Sequence, residues 1–112
     1  MDAIMEKAPA AQLELNGKTY TINHMGTATY LRYKQACEAV NLEEDAIDAP
    51  TYTAIINALA IAFGEQFTPE ELAESDTDVA DVIVAYMAVD LNLAQRIEQK
   101  IDAMTANFKT GS

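Results

Sequence analysis

The sequence predicts a mainly α-helical (α+β) domain. In this domain an N-terminal two-stranded β-hairpin precedes a small bundle of three to four helices, the last of them long. Residues 12–22 alternate polar and apolar side chains around an Asn-Gly pair, and most of the chain after them repeats apolar residues at helical spacing. A chain of 112 residues fits one domain. We therefore predict a single domain over 12–112, preceded by a flexible N-terminal arm over 1–11.

The hairpin is predicted over 12–24. Asn-Gly is the usual pair for a two-residue type I′ turn, because both positions need a positive φ. Four apolar side chains can share one face of this hairpin: Leu13, Leu15, Tyr20 and Ile22. Because a lone hairpin is marginal in water, this face must lie against something apolar. The chain's own helices could cover it, or another copy could, in which case these four residues would mediate self-association.

Helices are predicted over about 28–40, 51–63, 69–74 and 78–108. Local signals mark the ends of the first three. Thr27 is a plausible N-cap for the first, and Pro50 can open the second, which ends at Gly64. The segment TPEEL has the pattern of a capping box, with Thr68 as N-cap and Glu71 three residues later.

The last helix is predicted to begin after a cap at Ser75 or Asp76. Its first half, VADVIVAYMAVDLNLA, is apolar nearly all round, so we predict that it is the central helix. Its second half narrows to a single apolar stripe, Ala94, Ile97, Ile101, Met104 and Phe108. About 30 residues of helix would span about 45 Å, more than a compact domain of this size. The helix therefore either bends near 90–92, or its end projects and packs on a partner.

The charge is distributed unevenly. The chain has 18 acidic and 7 basic residues, a net charge of −11. Bases and acids balance over 1–42, whereas no base occurs over 43–95. Such a surface repels nucleic acid and anionic lipid, so neither is an expected partner. It favours a basic partner or simply keeps the protein dispersed.

No motif predicts catalysis. His24 and Cys37 have no second pair of ligands at zinc-site spacing. The stretch DTDVAD at 76–81 lacks the glycine and the bidentate glutamate of a calcium-binding loop, and helix capping explains its acids better. We expect no enzyme, no catalytic residue, no metal and no cofactor. A single cysteine, with no secretory leader and no membrane-length apolar run, favours the cytoplasm.

The hairpin LELNGKTYTI is followed by a helix that begins ATYLRYKQA and then by an acidic, all-helical remainder. This arrangement resembles the tail assembly chaperones of long-tailed, lambda-like phages. In that family the chain opens with an N-G-x-x-x-T-[LI] hairpin and runs into a helix rich in aromatic, basic and Gln residues. Over residues 13–40 the resemblance lies in particular residues. From residue 12 to about residue 100 it lies in the order of the hairpin and the helices.

The resemblance implies a protein that binds the long tape-measure protein, keeps it soluble and promotes assembly of tail-tube protein around it. It implies that the protein is absent from the mature virion, works in the cytoplasm of the bacterial host and forms homo-oligomers. Apolar contacts from the first and last helices would cover the client. The candidate partner-binding residues are Tyr30, Tyr33, Ile97, Ile101, Met104 and Phe108.

Two alternative functions stay open. One is another small acidic chaperone of the secretion type, although such proteins usually have more strand for dimerisation than one hairpin offers. The other is an acidic inhibitor that mimics DNA and blocks a basic site. That function would need carboxylates spaced like phosphates on an exposed face, whereas several acids here fall at helix starts.

Overall fold

The computed structural model describes residues 11–42 and 47–111, and side chains as far as residue 107. It contains six elements: β1 (Gln12–Leu15), β2 (Lys18–Thr21), α1 (Thr27–Cys37), α2 (Ala49–Ala62), α3 (Pro69–Ala73) and α4 (Val79–Gly111). The predicted fold class is confirmed, because a hairpin precedes a mostly helical remainder that ends in a long helix. The predicted arm over 1–11 lies outside the described residues, apart from Ala11.

The hairpin lies on the chain's own core. β1 and β2 pair antiparallel, with Leu13 opposite Tyr20. The turn has φ 54° at Asn16 and 79° at Gly17, as a type I′ turn requires. The apolar face is covered by the helices, and its buried members are Leu13, Leu15 and Ile22. Of the two occupants that the sequence left open, the structure therefore shows the chain's own helices.

The central helix is α2. Eight of its fourteen residues are buried, and it packs against α1, α3 and α4. The prediction that the first half of the last helix is central is wrong. That half buries one face but leaves Val84, Met87 and Leu91 more than half exposed. The apolar residues of this half therefore lie on two faces of the helix. One face packs on the core, and the other is exposed.

The ends of α1 differ from the prediction. The amide of Tyr30 donates to the carbonyl of Gly26 at 2.9 Å, so Gly26 is the N-cap and Thr27 is already helical. The helix ends at Cys37 rather than at residue 40. The reason is that the next amides bond three residues back, as from Val40 to Cys37 at 2.9 Å, which tightens the chain into a turn.

The other short helices follow their local signals closely. α2 begins at Ala49 because the Asp48 carboxylate accepts the Thr51 amide at 2.9 Å, so Pro50 is the second helical residue. It ends at Ala62, and Gly64 follows with a φ of +70° and an amide that donates to the carbonyl of Ile61 at 2.9 Å. The capping box of α3 is present, with the Glu71 amide 3.0 Å from the Thr68 hydroxyl.

Asp78 caps α4, in place of the predicted Ser75 or Asp76. Its carboxylate accepts the Ala80 amide at 3.1 Å, and its carbonyl accepts the Val82 amide at 3.1 Å. The Ser75 hydroxyl instead donates to the carbonyl of Leu72 at 2.7 Å and so helps to end α3.

The end of α4 projects from the body. A helix of 33 residues is about 50 Å long, and the molecule measures 55 × 30 × 28 Å. The helix runs without a break through 90–92, and its length accounts for the longest dimension. Of the two predicted outcomes, the structure therefore shows projection. We call residues 97–107 the α4 extension.

Candidate partner-binding surface

An apolar groove of about 310 Å³ lies where the start of α1 meets the middle of α4. It is lined by Met25, Thr27, Tyr30, Leu93 and Ile97. The structure thus brings together Tyr30 and Ile97, two predicted partner-binding residues that are far apart in the sequence. The mixture of aliphatic, thioether and aromatic side chains suits an apolar side chain of a partner.

The groove continues into an exposed stripe on the α4 extension. Ile97 and Ile101 are each 50% exposed and Met104 is 53% exposed. Their spacing of four and three residues places them on one face of the helix. Since Ile97 belongs both to the groove and to the stripe, the two form one apolar surface. We call the groove residues together with Ile101 and Met104 the groove–stripe surface.

The stripe is a continuation of the face that α4 turns to the core. Residues eleven apart lie almost directly above one another on a straight helix. Val82, Leu93 and Met104 form such a row, and they are fully buried, half-buried and 53% exposed, respectively. Tyr86 and Ile97 form a second row, buried and then 50% exposed. The same face is therefore core at one end of α4 and open at the other.

Tyr33 does not belong to this surface, although the sequence placed it among the partner contacts. It is 0% exposed, and its hydroxyl donates to the Asp90 carboxylate at 3.3 Å. Its ring lies 6.4 Å from the ring of Tyr86. A side chain so buried cannot contact a partner in the folded protein. Tyr33 instead holds α1 against α4 beneath the groove.

A polar cluster surrounds this contact between α1 and α4. Burial raises the pKa of the Tyr33 phenol, and the nearby Asp90 carboxylate and Cys37 thiol raise it further. Burial also raises the pKa of the Tyr86 phenol, as do its hydrogen bond with Cys37 and the charge of Asp90. Each effect opposes a phenolate, so both tyrosines stay protonated in the folded protein far above the ordinary tyrosine pKa.

These raised pKa values predict a loss of stability at alkaline pH. Above a pH of about 10 the unfolded chain releases phenolic protons that Tyr33 and Tyr86 keep when folded, so the free energy of unfolding falls. Below that pH the two groups contribute no pH dependence. Urea unfolding from pH 8 to 11.5 should show this fall. In Tyr33→Phe the fall should be shallower, and an equal fall would contradict the assignment.

The four residues predicted to mediate self-association do not form an accessible apolar face. Leu13, Leu15 and Ile22 are buried, and the half-buried ring of Tyr20 lies 5.3 Å from the ring of Phe67. At the outer edge of β1, the Thr77 hydroxyl donates to the carbonyl of Glu14 at 3.2 Å. The hairpin face is therefore used within the chain, and these side chains are not contacts for another copy.

One further candidate, Phe108, has its side chain outside the described residues. Of the remaining candidates, Tyr30, Ile97, Ile101 and Met104 lie on the groove–stripe surface. Sequence reasoning missed the groove itself, because Met25 and Leu93 become neighbours only when α1 packs across α4.

Sequence reasoning also missed a second apolar stripe on α4. Val84, Met87 and Leu91 are 63%, 53% and 56% exposed. Their positions lie on the side of the helix opposite Val82 and Val89, which are buried. We call these three residues the outer stripe. The first half of α4 is apolar nearly all round, and a helix of this kind can make apolar contacts on two faces as well as on one. The sequence therefore contained a signal for the outer stripe.

Within 11–42 and 47–111, no group of three or more His, Cys, Asp or Glu side chains could hold a metal ion. In the same part of the chain, no helix is both long and apolar enough to cross a membrane. Comparison with known proteins gives no match to a protein-family model, to a curated protein or to a solved structure. The structure itself shows a mostly helical protein whose long last helix exposes an apolar surface.

Proposed function

We propose that this chain is a phage tail assembly chaperone that acts in the cytoplasm of the bacterial host. It binds the tape-measure protein, keeps it soluble and promotes assembly of tail-tube protein around it, and it leaves before the virion is complete. The groove–stripe surface is the observation that carries the proposal, because it offers a half-exposed apolar face on a helix that projects from the body. The resemblance over 13–40 supplies the class of client.

The surface suits an amphipathic helix. Such a helix presents anchors at spacings of three and four residues, and Ile97, Ile101 and Met104 repeat at the same spacing. The groove beside Tyr30 can bury one apolar side chain of the client helix more deeply than the stripe can. That contact fixes the position of the client helix along α4. Met25 and Met104 are flexible and polarizable, which lets the surface accept apolar side chains of different shapes along a long client.

Charge beside the stripe gives the client helix a preferred orientation. On α4, Arg96 and Lys100 fall at one edge of the stripe and Glu98 at the other. Arg96 is held in place by a bond of 2.8 Å from its Nε to the Asn92 side chain. A client helix with acids along the first edge and bases along the second is favoured over its reverse. The net charge of −11 makes the complexes repel one another. The proposed action is passive and needs no nucleotide.

The test is aggregation of the tape-measure protein from the same phage. The client is diluted from denaturant and followed by light scattering, without nucleotide, at rising ratios of this protein. We expect stoichiometric protein to suppress the scattering and to remain bound to the client on size exclusion. An unrelated acidic protein of similar size and charge is the control. Unchanged client aggregation at a stoichiometric ratio would contradict the proposed function.

A further inference from the structure

The outer stripe has no role in the proposed chaperone surface. Its centre at Met87 lies about 21 Å along α4 from Ile101, fourteen residues at 1.5 Å each. At about 100° per residue, Met87 and Ile101 are only about 40° apart around the helix, but the outer stripe as a whole is turned about 105° from the stripe of Ile97, Ile101 and Met104. Val84, Met87 and Leu91 are spaced by three and four residues and form one continuous apolar row. Three large apolar side chains, all more than half exposed and adjacent, mark an interaction surface more strongly than scattered ones do.

A groove of about 320 Å³ lies beside the outer stripe, between β1 and α4. Its apolar part consists of Leu13, Val84, Ala85 and Ala88. Leu13, Ala85 and Ala88 are buried, so Val84 is the exposed apolar side chain of this groove. Val84 belongs both to the outer stripe and to this groove, so the two are adjacent. A side chain from a partner that packs on the stripe can enter the groove.

Among the residues that the structure describes, the charges around this surface are negative. Within the groove the carboxylates of Glu14 and Asp81 accompany the apolar residues. Further along the same side of α4 come Glu98 and Asp102, both exposed. The bases of α4 whose side chains are described, Arg96 and Lys100, lie on the opposite side of the helix, nearer the core face and the stripe of the extension.

The nearest base of the hairpin, Lys18, does not neutralise this surface. Its Nζ lies 5.6 Å from the centre of the Tyr20 ring, on the core side of the hairpin. Residues 43–95, which contain the outer stripe, include twelve acids and no base. A ligand on the outer stripe therefore meets carboxylates at both ends of an apolar row.

We propose that the outer stripe and its groove bind a basic amphipathic helix of a second protein. Apolar residues of that helix pack on Val84, Met87 and Leu91, and its lysines or arginines lie near Glu14 and Asp81. Charge complementarity selects this occupant. A second copy of the chain would bring acids against acids, since the same face would be presented by both. The proposal does not depend on the identity of the chaperone's client.

Two synthetic peptides serve as probes. Each is an 18-residue helix with one leucine stripe and a single tryptophan, and they differ only in carrying lysine or glutamate beside the stripe. The protein has no tryptophan, so peptide emission reports binding without background. We expect the lysine peptide to bind the full chain with a blue shift in emission. We expect the glutamate peptide to bind at least about tenfold more weakly, and the difference to shrink as salt rises.

Matched double variants locate the site. Met87→Gln with Leu91→Gln removes two members of the outer stripe and leaves the charge unchanged, and it should weaken the lysine peptide at least about tenfold. Ala103→Gln with Ala106→Gln places the same polar side chains at exposed positions of the α4 extension, leaves the charge unchanged and should change affinity by less than about twofold. Since all four side chains are exposed, thermal unfolding should show every variant folded.

Three results would overturn the proposal. Equal binding of the two peptides would show that charge plays no part. Equal loss in the two double variants would place the peptide elsewhere. A full chain that is dimeric in light scattering, and monomeric only with Met87→Gln and Leu91→Gln, would show that a second copy occupies the surface. None of these results involves the tape-measure protein, so failure here is distinct from failure of the chaperone assay.

Discussion

Leu59→Ala should lower the free energy of unfolding by about 2–5 kcal/mol. Leu59 is 0% exposed in the C-terminal half of α2, the helix that packs against α1, α3 and α4. Truncation removes buried methyl groups and leaves a cavity in a close-packed core, so relaxation is limited. Because domains of this size are stable by about 5–15 kcal/mol, the loss is a large fraction of the total. Urea unfolding followed by circular dichroism measures it.

Asn57→Ala is the matched control for that prediction. Asn57 lies on the exposed side of α2, two residues from Leu59. Alanine is the better helix former, so the free energy of unfolding should stay within about 0.5 kcal/mol or rise slightly. If Leu59→Ala cost no more than Asn57→Ala, α2 would not be the central helix of the fold.

Local signals in the sequence predicted the hairpin and several helix ends. Asn16-Gly17 requires positive φ at both positions, and few structures other than a type I′ hairpin meet that requirement. The Thr68 capping box and the Gly64 helix stop depend on atoms within a few residues of each other. Such short-range geometry can be read directly from the order of residues.

The choice of central helix could not be read in the same way. α2 and the first half of α4 are both rich in apolar residues, and composition alone does not say which is surrounded. The answer depends on where the other elements pack: α1 and α3 lie against α2, whereas α4 is contacted by α2 and β1 and keeps the outer stripe open. The same long-range packing separates Tyr30, at the groove, from the buried Tyr33, although both lie in the predicted first helix and both were candidates for partner binding.

Caps with several polar candidates were also ambiguous. Ser75, Asp76 and Asp78 all suit an N-cap, and the structure uses Asp78. The Ser75 hydroxyl is engaged with the end of α3, and Thr77 is tied to β1 through Glu14. Contacts outside the helix therefore decide which residue caps it, and the sequence of the helix does not contain them.

Ile101→Gln combined with Met104→Gln should remove most of the chaperone activity without unfolding the protein. Both residues project from the α4 extension at half exposure, so their replacement by polar side chains costs little stability. In the proposed complex each is an apolar anchor, and losing one anchor typically costs about 1–3 kcal/mol of binding. We therefore expect at least about tenfold more protein to be needed to suppress client scattering.

Ala103→Gln combined with Ala106→Gln places the same polar side chains on the opposite side of the extension. Both positions are exposed, and their helical phase puts them away from Ile101 and Met104. This control should suppress client aggregation at the same ratio as the unchanged protein. If both pairs lost activity equally, the whole extension would matter through its length or helicity. If only the Ile101 and Met104 pair lost activity, client binding would be assigned to one face of α4. This is the face that packs on the core in the first half of the helix and is exposed in the extension.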